Sequence, residues 1–539
     1  MRWIHERPAS AALLFFCAWT VVHTWPLAAA PGRHARVDNG DMLLNAWATS
    51  WVAHQLPRNP LALFDGNIFY PERRTLAYSE PLIVQGVIAI PVEALGGSAV
   101  LAHNLALLAG MALTGWAFCV VVARWTGSWG AGLVSGALAA FNAHTLTRLA
   151  HLQAQHLEFL PLAMLALDQL FRRRRARDAV CLAGAVAIQG SASIYFLVFT
   201  GFSVALGALV RGEWWHRGER WRLTRACLVS VVVLVALLAP LLWPYLQLNR
   251  ELGLARSADE TRLYVSTWED YLKTGGTLHF WWSKRFIEAK AANFPGVLAS
   301  GLVLVTVLTG VAWRDPRARM WLAVGVGAVV LSMAPNAPGF DQVFAIAVPL
   351  QAIRAFARFG QLALAAVAVL GGFGVAEILR RVPGRRAQWA VAGAVVLIVS
   401  AEALRAPLWY DRYNGLSRVY EHLGRERSAV LLELPIFEGR GIARNAPYLL
   451  NATAHWHPVV NGYSGFIPPR YGQRASALAD FPADGALSAA SALGITHVAV
   501  HLSDVRTVAG PERVVAIERH PTLRLVAEDR DVRLYELRH

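Results

Sequence analysis

The chain has 539 residues, of which 55% belong to the hydrophobic set and only 16% are charged, with a mean hydropathy of +0.38. Soluble globular proteins carry about 25% charged residues, so the composition excludes an ordinary water-soluble fold; with its apolar residues in long runs, it indicates a polytopic membrane protein. The net charge of +15 comes from 51 basic residues, of which three are Lys (Lys273, Lys284 and Lys290) and 48 are Arg. The four cysteines (Cys17, Cys119, Cys181 and Cys227) lie in apolar runs without metal-ligand spacing, which argues against a disulfide framework or a zinc site.

A bilayer core of about 30 Å takes roughly 20 apolar residues as a helix. In chain order such segments fall near 9–29, 99–123, 129–143, 154–171, 178–194, 195–210, 226–248, 296–313, 319–334, 360–379 and 387–404, about eleven in all. The first resembles a signal peptide at its flanks, but its length and place at the head of a polytopic chain favour a retained helix. Gly190-Ser191-Ala192-Ser193 is the one break in the run 178–210, and Pro91 and Glu93 make 81–97 a re-entrant or interfacial segment.

Arginine placement sets the orientation. With the N-terminus inside, the cytoplasmic pieces are 1–8, 124–128, 172–178, 211–225, 314–319 and 380–386, holding 20 Arg against five acids. All six pieces agree with the positive-inside rule, so the charge excess reports topology and gives no reason to expect a nucleic-acid partner. The outer pieces are 30–98, 144–153, 249–295, 335–359 and the tail. Loops as long as 30–98 and 249–295 are usually functional. The expected fold class is an all-α polytopic membrane domain over 1–404 with a small soluble α/β domain over 405–539. In that tail, strands are expected at 428–436 and 495–502, a hairpin at 522–526 and 532–537, and helices near 414–425, 471–480 and 485–493.

The first outer loop reads RVDNGDMLLNAWATSW, with Asp38 and Asp41 just past the first span and a helical apolar pattern from Met42, as for an amphipathic interfacial helix. Asp41 fits both an N-cap and a catalytic acid. Asp65 is explained by the Asp65-Gly66 turn, whereas Glu80 stands at the membrane boundary. The next outer connection places His144, Arg148, His151, His156 and Glu158 beside lipid-depth helices, where ionisable groups are costly and often functional. The histidines lack strong metal spacing and suit an anionic headgroup better. Arg354 and Arg358, four apart, would share a helix face and clamp a phosphate, or else anchor the helix at the interface. Gly371-Gly372-Phe373-Gly374 reads as helix packing.

The strings GDMLLNAWATSW, LFDGNIFYP, TLAYSEPL, HLQAQHLEFLPLAML, the FPG at Phe294–Gly296, IRAFARFG, LELPIFEG and HWHPVVNGYSGFIPP together resemble bacterial members of the GT-C superfamily of integral-membrane glycosyltransferases. The resemblance implies a polyprenyl-phosphate-linked sugar as donor, transfer at the outer face of the cytoplasmic membrane with inversion, and a glycan, lipid or protein acceptor. It places the general base on Asp41, with Asp38 or Glu80 as a paired acid. Some relatives hold a divalent metal with acids of a later loop; the matching region here offers His and Glu158, so no cofactor is assigned and a metal is left open. Positive charge for the leaving phosphate falls to Arg354 and Arg358, with Arg148 and His151. In the tail, Tyr463, Phe466 and Tyr471 are candidates for acceptor binding, or for the domain's own core. The competing readings are a transporter or flippase for a lipid-linked saccharide and a non-catalytic scaffold; no internal repeat of the transporter kind is present.

Overall fold

The computed structural model describes residues 8–215, 218, 220–253 and 256–538. Arg2, Glu6, Arg7, Arg217 and Glu219 of the expected cytoplasmic pieces therefore lie outside the described residues. The chain is a multi-pass membrane protein, mostly helical, with a small C-terminal sheet. Each of the eleven apolar segments contains a helix. Among the described residues five helices are long and apolar enough to cross a bilayer: Ala99–Thr126, Arg220–Leu252, Pro316–Asn336, Phe356–Arg381 and Arg385–Ala403. The break expected after residue 190 is real: one helix ends at Ala192, and Ser193 caps the next, Ile194–Leu209, by accepting the Phe196 N–H.

The described chain forms two units. The helical unit comprises Met1–Ala29, Leu107–Asn249 and Gly253–Trp409. At its centre the helix Phe359–Arg381 packs against Trp129–Ala140, Val297–Leu308 and Pro316–Met333. Glycines permit this approach: a Cβ on Gly374 would lie 2.2 Å from the Leu302 carbonyl oxygen, and one on Gly372 only 2.8 Å from Val122. By contrast, Arg220–Leu252 exposes Leu228, Val231, Val232 and Val235, the apolar surface a bilayer would cover.

Three of the expected cytoplasmic connections meet at the end of one helix in this unit. Asp168, almost wholly buried near the end of Phe159–Arg173, pairs with Arg211 at 2.8 Å and with Arg317 at 3.2 Å. Arg317 also donates to the Trp125 carbonyl, and Arg319 to that of Val210, each at 3.0 Å. Pieces 124–128, 211–225 and 314–319 are thereby tied to the helix that runs into 172–178.

The mixed unit joins Ala30–Ala106 and Arg250–Leu252 to Tyr410–His539, so the first outer loop belongs with the tail. Its four-stranded sheet has the order β3-β4-β6-β5, after a two-residue pair of β1 (His34–Ala35) with β2 (Asp411–Arg412). Strand β3 (Leu431–Leu434) runs parallel to β4 (His497–His501), while β5 (Leu523–Asp529) and β6 (Val532–Leu537) form the expected hairpin. Alternation sends Leu432 and Leu434 to one apolar core and Leu431 to another. The first loop is stitched to this sheet: Val459 N–H donates to Asn67 O at 2.8 Å, Phe69 N–H to Asn461 O at 3.0 Å and Tyr70 N–H to Val459 O at 2.9 Å.

The first-loop helix, Gly40–Arg58, is buried continuously from Met42 to Ala53. It is therefore no one-sided amphipathic helix. Helices Ile83–Ala94 and Ala446–Asn451 pack on it, Trp47 donates to Asn67 Oδ1 at 2.9 Å, and Trp51 donates to the Leu63 carbonyl at 2.7 Å.

Candidate functional site

The acids of the first loop have distinct surroundings. Asn39 caps the Gly40–Arg58 helix, its Oδ1 accepting the backbone N–H of Asp41 at 3.0 Å and of Met42 at 3.2 Å. Asp41 is thus not the cap. Its carboxylate accepts a hydrogen bond from the Tyr463 hydroxyl at 3.1 Å, and it sits half-buried in the first turn, where the helix dipole favours negative charge. Asp38 is exposed and paired with Arg36 at 3.1 Å, and that hydrogen bond holds its carboxyl below the usual range. Glu80 is buried, directly after the turn Thr75–Tyr78.

One tail segment touches the surroundings of both Asp41 and Glu80. Tyr463 packs on Gly40, where a Cβ would come within 3.2 Å of its ring. Gly465 lies against the Tyr78 carbonyl and Ser79, and the half-buried Phe466 meets the Tyr78 ring edge-on at 5.6 Å. Gly462 can have no side chain, because a Cβ there would fall 2.4 Å from the Phe69 ring. Tyr471 differs from its two companions: it is fully buried, its hydroxyl donating to Phe437 O at 3.1 Å and accepting from Asn445 at 2.9 Å. Of the three aromatic candidates it is the core residue.

In the helical unit, a shallow recess is lined by His144, Arg148, His151, Gln153, Ala154, Ser193, Tyr195, Phe196, Arg358 and Gln361. Three of the four expected phosphate ligands therefore converge. Arg148 lies 3.4 Å from His151 Nε2 and donates to the Lys290 carbonyl at 3.1 Å. His144 Nδ1 is 3.0 Å from Asn293 Oδ1; burial, then the Arg148 charge, push its pKa down to about 3, so it stays neutral. The lining holds two guanidinium groups, those of Arg148 and Arg358, and no Asp or Glu. Such a hollow favours an anion.

Arg354 is not among the lining residues, and the shared helix face expected for Arg354 and Arg358 is absent. Residues 353–355 are non-helical, and the helix begins only at Phe359 after a single 3-10 turn, Phe356–Arg358. The spacing of four carries no common face without a helix beneath it. The Tyr195 hydroxyl accepts the N–H groups of Arg354 at 3.1 Å and Ala355 at 3.2 Å, holding the chain off the helical path. Arg354 instead stacks over Tyr264 at 5.0 Å, and Arg358 over Tyr195 at 4.5 Å.

Sequence reasoning did not single out Tyr195 or Glu402. Glu402 accepts the Val297 and Leu298 N–H groups at 2.8 and 3.1 Å, and lies 3.0 Å from His279 Nε2. It caps the Val297–Leu308 helix from another helix, and Gly296 of the FPG string, at φ +100°, lets the helix start there. The available signal was one acid at the end of an apolar span. Among the described residues no group of three or more His, Cys, Asp or Glu side chains is gathered for a metal ion. His156 and Glu158, 2.9 Å apart and buried, are satisfied by each other and by Thr114.

No protein-family model and no curated protein matches the sequence. Solved structures do. The arabinofuranosyltransferase AftD from Mycobacteria matches with a TM-score of 0.61 and 16% identity over 99% of this chain and 40% of that one. The Archaeoglobus fulgidus oligosaccharyltransferase, tethered to an acceptor peptide containing an NVT sequon, matches at a TM-score of 0.51 and 11% identity, over 96% of this chain and 71% of that one. The chain thus spans about two-fifths of the AftD chain. At these identities the likeness is one of fold: the chain shares the fold of AftD and of the oligosaccharyltransferase, which are membrane glycosyltransferases of the GT-C kind that the sequence strings resemble.

Proposed function

We propose that the protein is a glycosyltransferase that moves a sugar from a polyprenyl-phosphate carrier to an acceptor hydroxyl on the outer face of the bacterial cytoplasmic membrane. The observation that carries this reading is the recess that Arg148, Arg358, His144 and His151 line together. Guanidinium groups match phosphate geometry and stabilise a departing phosphate, often the larger share of such a rate enhancement. The residues lining the recess all belong to expected outer connections or adjoining span ends. An N-terminus inside, about eleven spans and an outer tail over 405–539 complete the topology, supported by the meeting of three expected cytoplasmic pieces around Asp168.

Asp41 is assigned the general base, with Glu80 or Asp38 as the accompanying acid. It takes the proton of the acceptor hydroxyl; the acceptor oxygen forms its bond to the anomeric carbon; the carbon–oxygen bond to the phosphate breaks, and the polyprenyl phosphate leaves with the electron pair, inverting the anomeric centre. Tyr463 and Phe466, beside Asp41 and Tyr78, are assigned to the acceptor, which is a glycan, a lipid or a protein. Whether a divalent metal takes part is read directly by a chelator arm in the assay.

The test incubates purified protein with polyprenyl-phosphate sugars and follows the donor linkage. Loss of that linkage with sugar appearing on an acceptor supports the reading. Movement of intact donor between leaflets of a vesicle, without cleavage, overturns it in favour of a flippase.

A further inference from the structure

We infer that Tyr195 is a positioning residue that seats Arg358 in the recess. This rests on the recess being the donor-phosphate site. Ser193 caps the Ile194–Leu209 helix, which places Tyr195 in its first turn, with Ser193, Tyr195 and Phe196 all lining the recess. The side chain then acts twice. Its hydroxyl accepts two consecutive backbone N–H groups, those of Arg354 and Ala355, at 3.1 and 3.2 Å. Its ring face carries the Arg358 guanidinium at 4.5 Å.

The two actions solve one problem. Residues 353–355 leave the helical path: the Ile353 N–H still reaches the Leu350 carbonyl at 3.0 Å, but those of Arg354 and Ala355 need another acceptor. One phenol supplies it, and the same phenol supplies the surface on which Arg358, the last residue before the helix Phe359–Arg381, comes to rest. Arginine stacked on an aromatic face keeps its in-plane N–H donors available for an anion. The stretch is pinned on its other side by Tyr264, whose carbonyl accepts the Ala357 N–H at 2.9 Å and whose ring lies under Arg354. Removing Tyr195 releases both the backbone and the charge.

A purely structural role for Tyr195 would lower stability and leave headgroup selectivity alone. A positioning role changes affinity for the phosphate and not for the chain. The experiment measures binding of farnesyl phosphate and of uncharged farnesol to full-length protein in detergent, for wild type, Tyr195→Phe, Tyr195→Leu and Arg358→Ala. Tyr195→Phe keeps the ring and is expected to bind farnesyl phosphate about threefold more weakly. Tyr195→Leu is expected to lose about tenfold, approaching Arg358→Ala, with farnesol binding unchanged in all. If Arg358→Ala weakens farnesyl phosphate and both Tyr195 variants bind it as wild type does, the inference on Tyr195 is overturned while the recess stands. If Arg358→Ala itself binds as wild type, the reading of the recess falls. Should Tyr195→Leu fail to fold, Tyr195→Phe decides alone, wild-type binding counting against the inference.

Discussion

The Tyr463 hydroxyl donates to Asp41 Oδ1 at 3.1 Å, so an aromatic segment of the tail holds the carboxylate assigned as base. A general base contributes typically about 10²–10⁴-fold. Asp41→Asn is expected to lower sugar transfer by that factor with membrane yield unchanged, because Asn39 carries the capping. Tyr463→Phe is expected to lower it by only about two- to tenfold, since it leaves the base in place and removes one half-buried hydrogen bond, a loss of about 0.5–1.5 kcal/mol. Radiolabelled sugar transfer in membranes reads both; near-wild-type transfer by Asp41→Asn would move the base elsewhere.

Arg148 and Arg358 approach the recess from different elements, so each removal should act on its own. Loss of one charge-assisted contact of about 1.5–3 kcal/mol corresponds to roughly ten- to hundredfold in affinity. Arg358→Ala and Arg148→Ala are each expected to raise the KM for a polyprenyl-phosphate donor in that range. Arg354→Ala, outside the recess, is expected to do much less. Donor titrations of the three variants check the ranking.

Asp168 and Arg211 are 2% and 1% exposed at their side chains. Breaking a buried pair by removing one partner typically costs about 3–5 kcal/mol. Arg211 retains Glu213, with Nε 3.0 Å from its carboxylate, so Asp168→Asn is expected at the low end, about 3 kcal/mol. A thermal-stability series in detergent, read by monodisperse elution, should show a clear drop. Asp38→Asn, on an exposed pair, should show none.

Glu433 is fully buried on β3, with His501 Nε2 at 2.7 Å, the Tyr420 hydroxyl donating at 2.9 Å and Asn451 at 3.2 Å. Burial opposes protonation of His501, but Glu433, with Asp504 and Asp531 further off, raises its pKa above the ordinary value of 6.5. A raised folded-state value means a stabilisation fully present below the unfolded value and lost as pH rises through the folded one. His501→Gln should therefore destabilise the protein more at pH 6 than at pH 9. Unfolding temperatures at the two pH values measure this; an equal loss at both would rule out the charged pair.

The helices and the strands of the tail were legible because their cause is local: apolar runs of bilayer length, and alternation in SAVLLELPI and ITHVAVHL. The Gly371–Gly374 string was legible as packing for the same reason. What was hidden is tertiary. Asp41 reads from the sequence as an N-cap as readily as an acid, and only the folded backbone gives the cap to Asn39 and frees Asp41 for Tyr463. The spacing of Arg354 and Arg358 promised a helix face, but Tyr195, distant in the chain, holds the backbone off the helix. Arg148, Arg358 and His151 could be named from the sequence; their meeting could not, because the segments between them contribute nothing locally to it.

The Asp168 node carries a consequence for biosynthesis. Asp168 emerges 43 residues before Arg211 and 149 before Arg317. The acid at the end of its helix therefore waits, uncompensated by Arg317, while several further hydrophobic segments are threaded into the bilayer. Only when residue 317 has been made can the clasp close in full; until then Asp168 has Arg172 and Arg211 alone, so the last of its three arginines arrives with a segment that enters the bilayer long after its own helix.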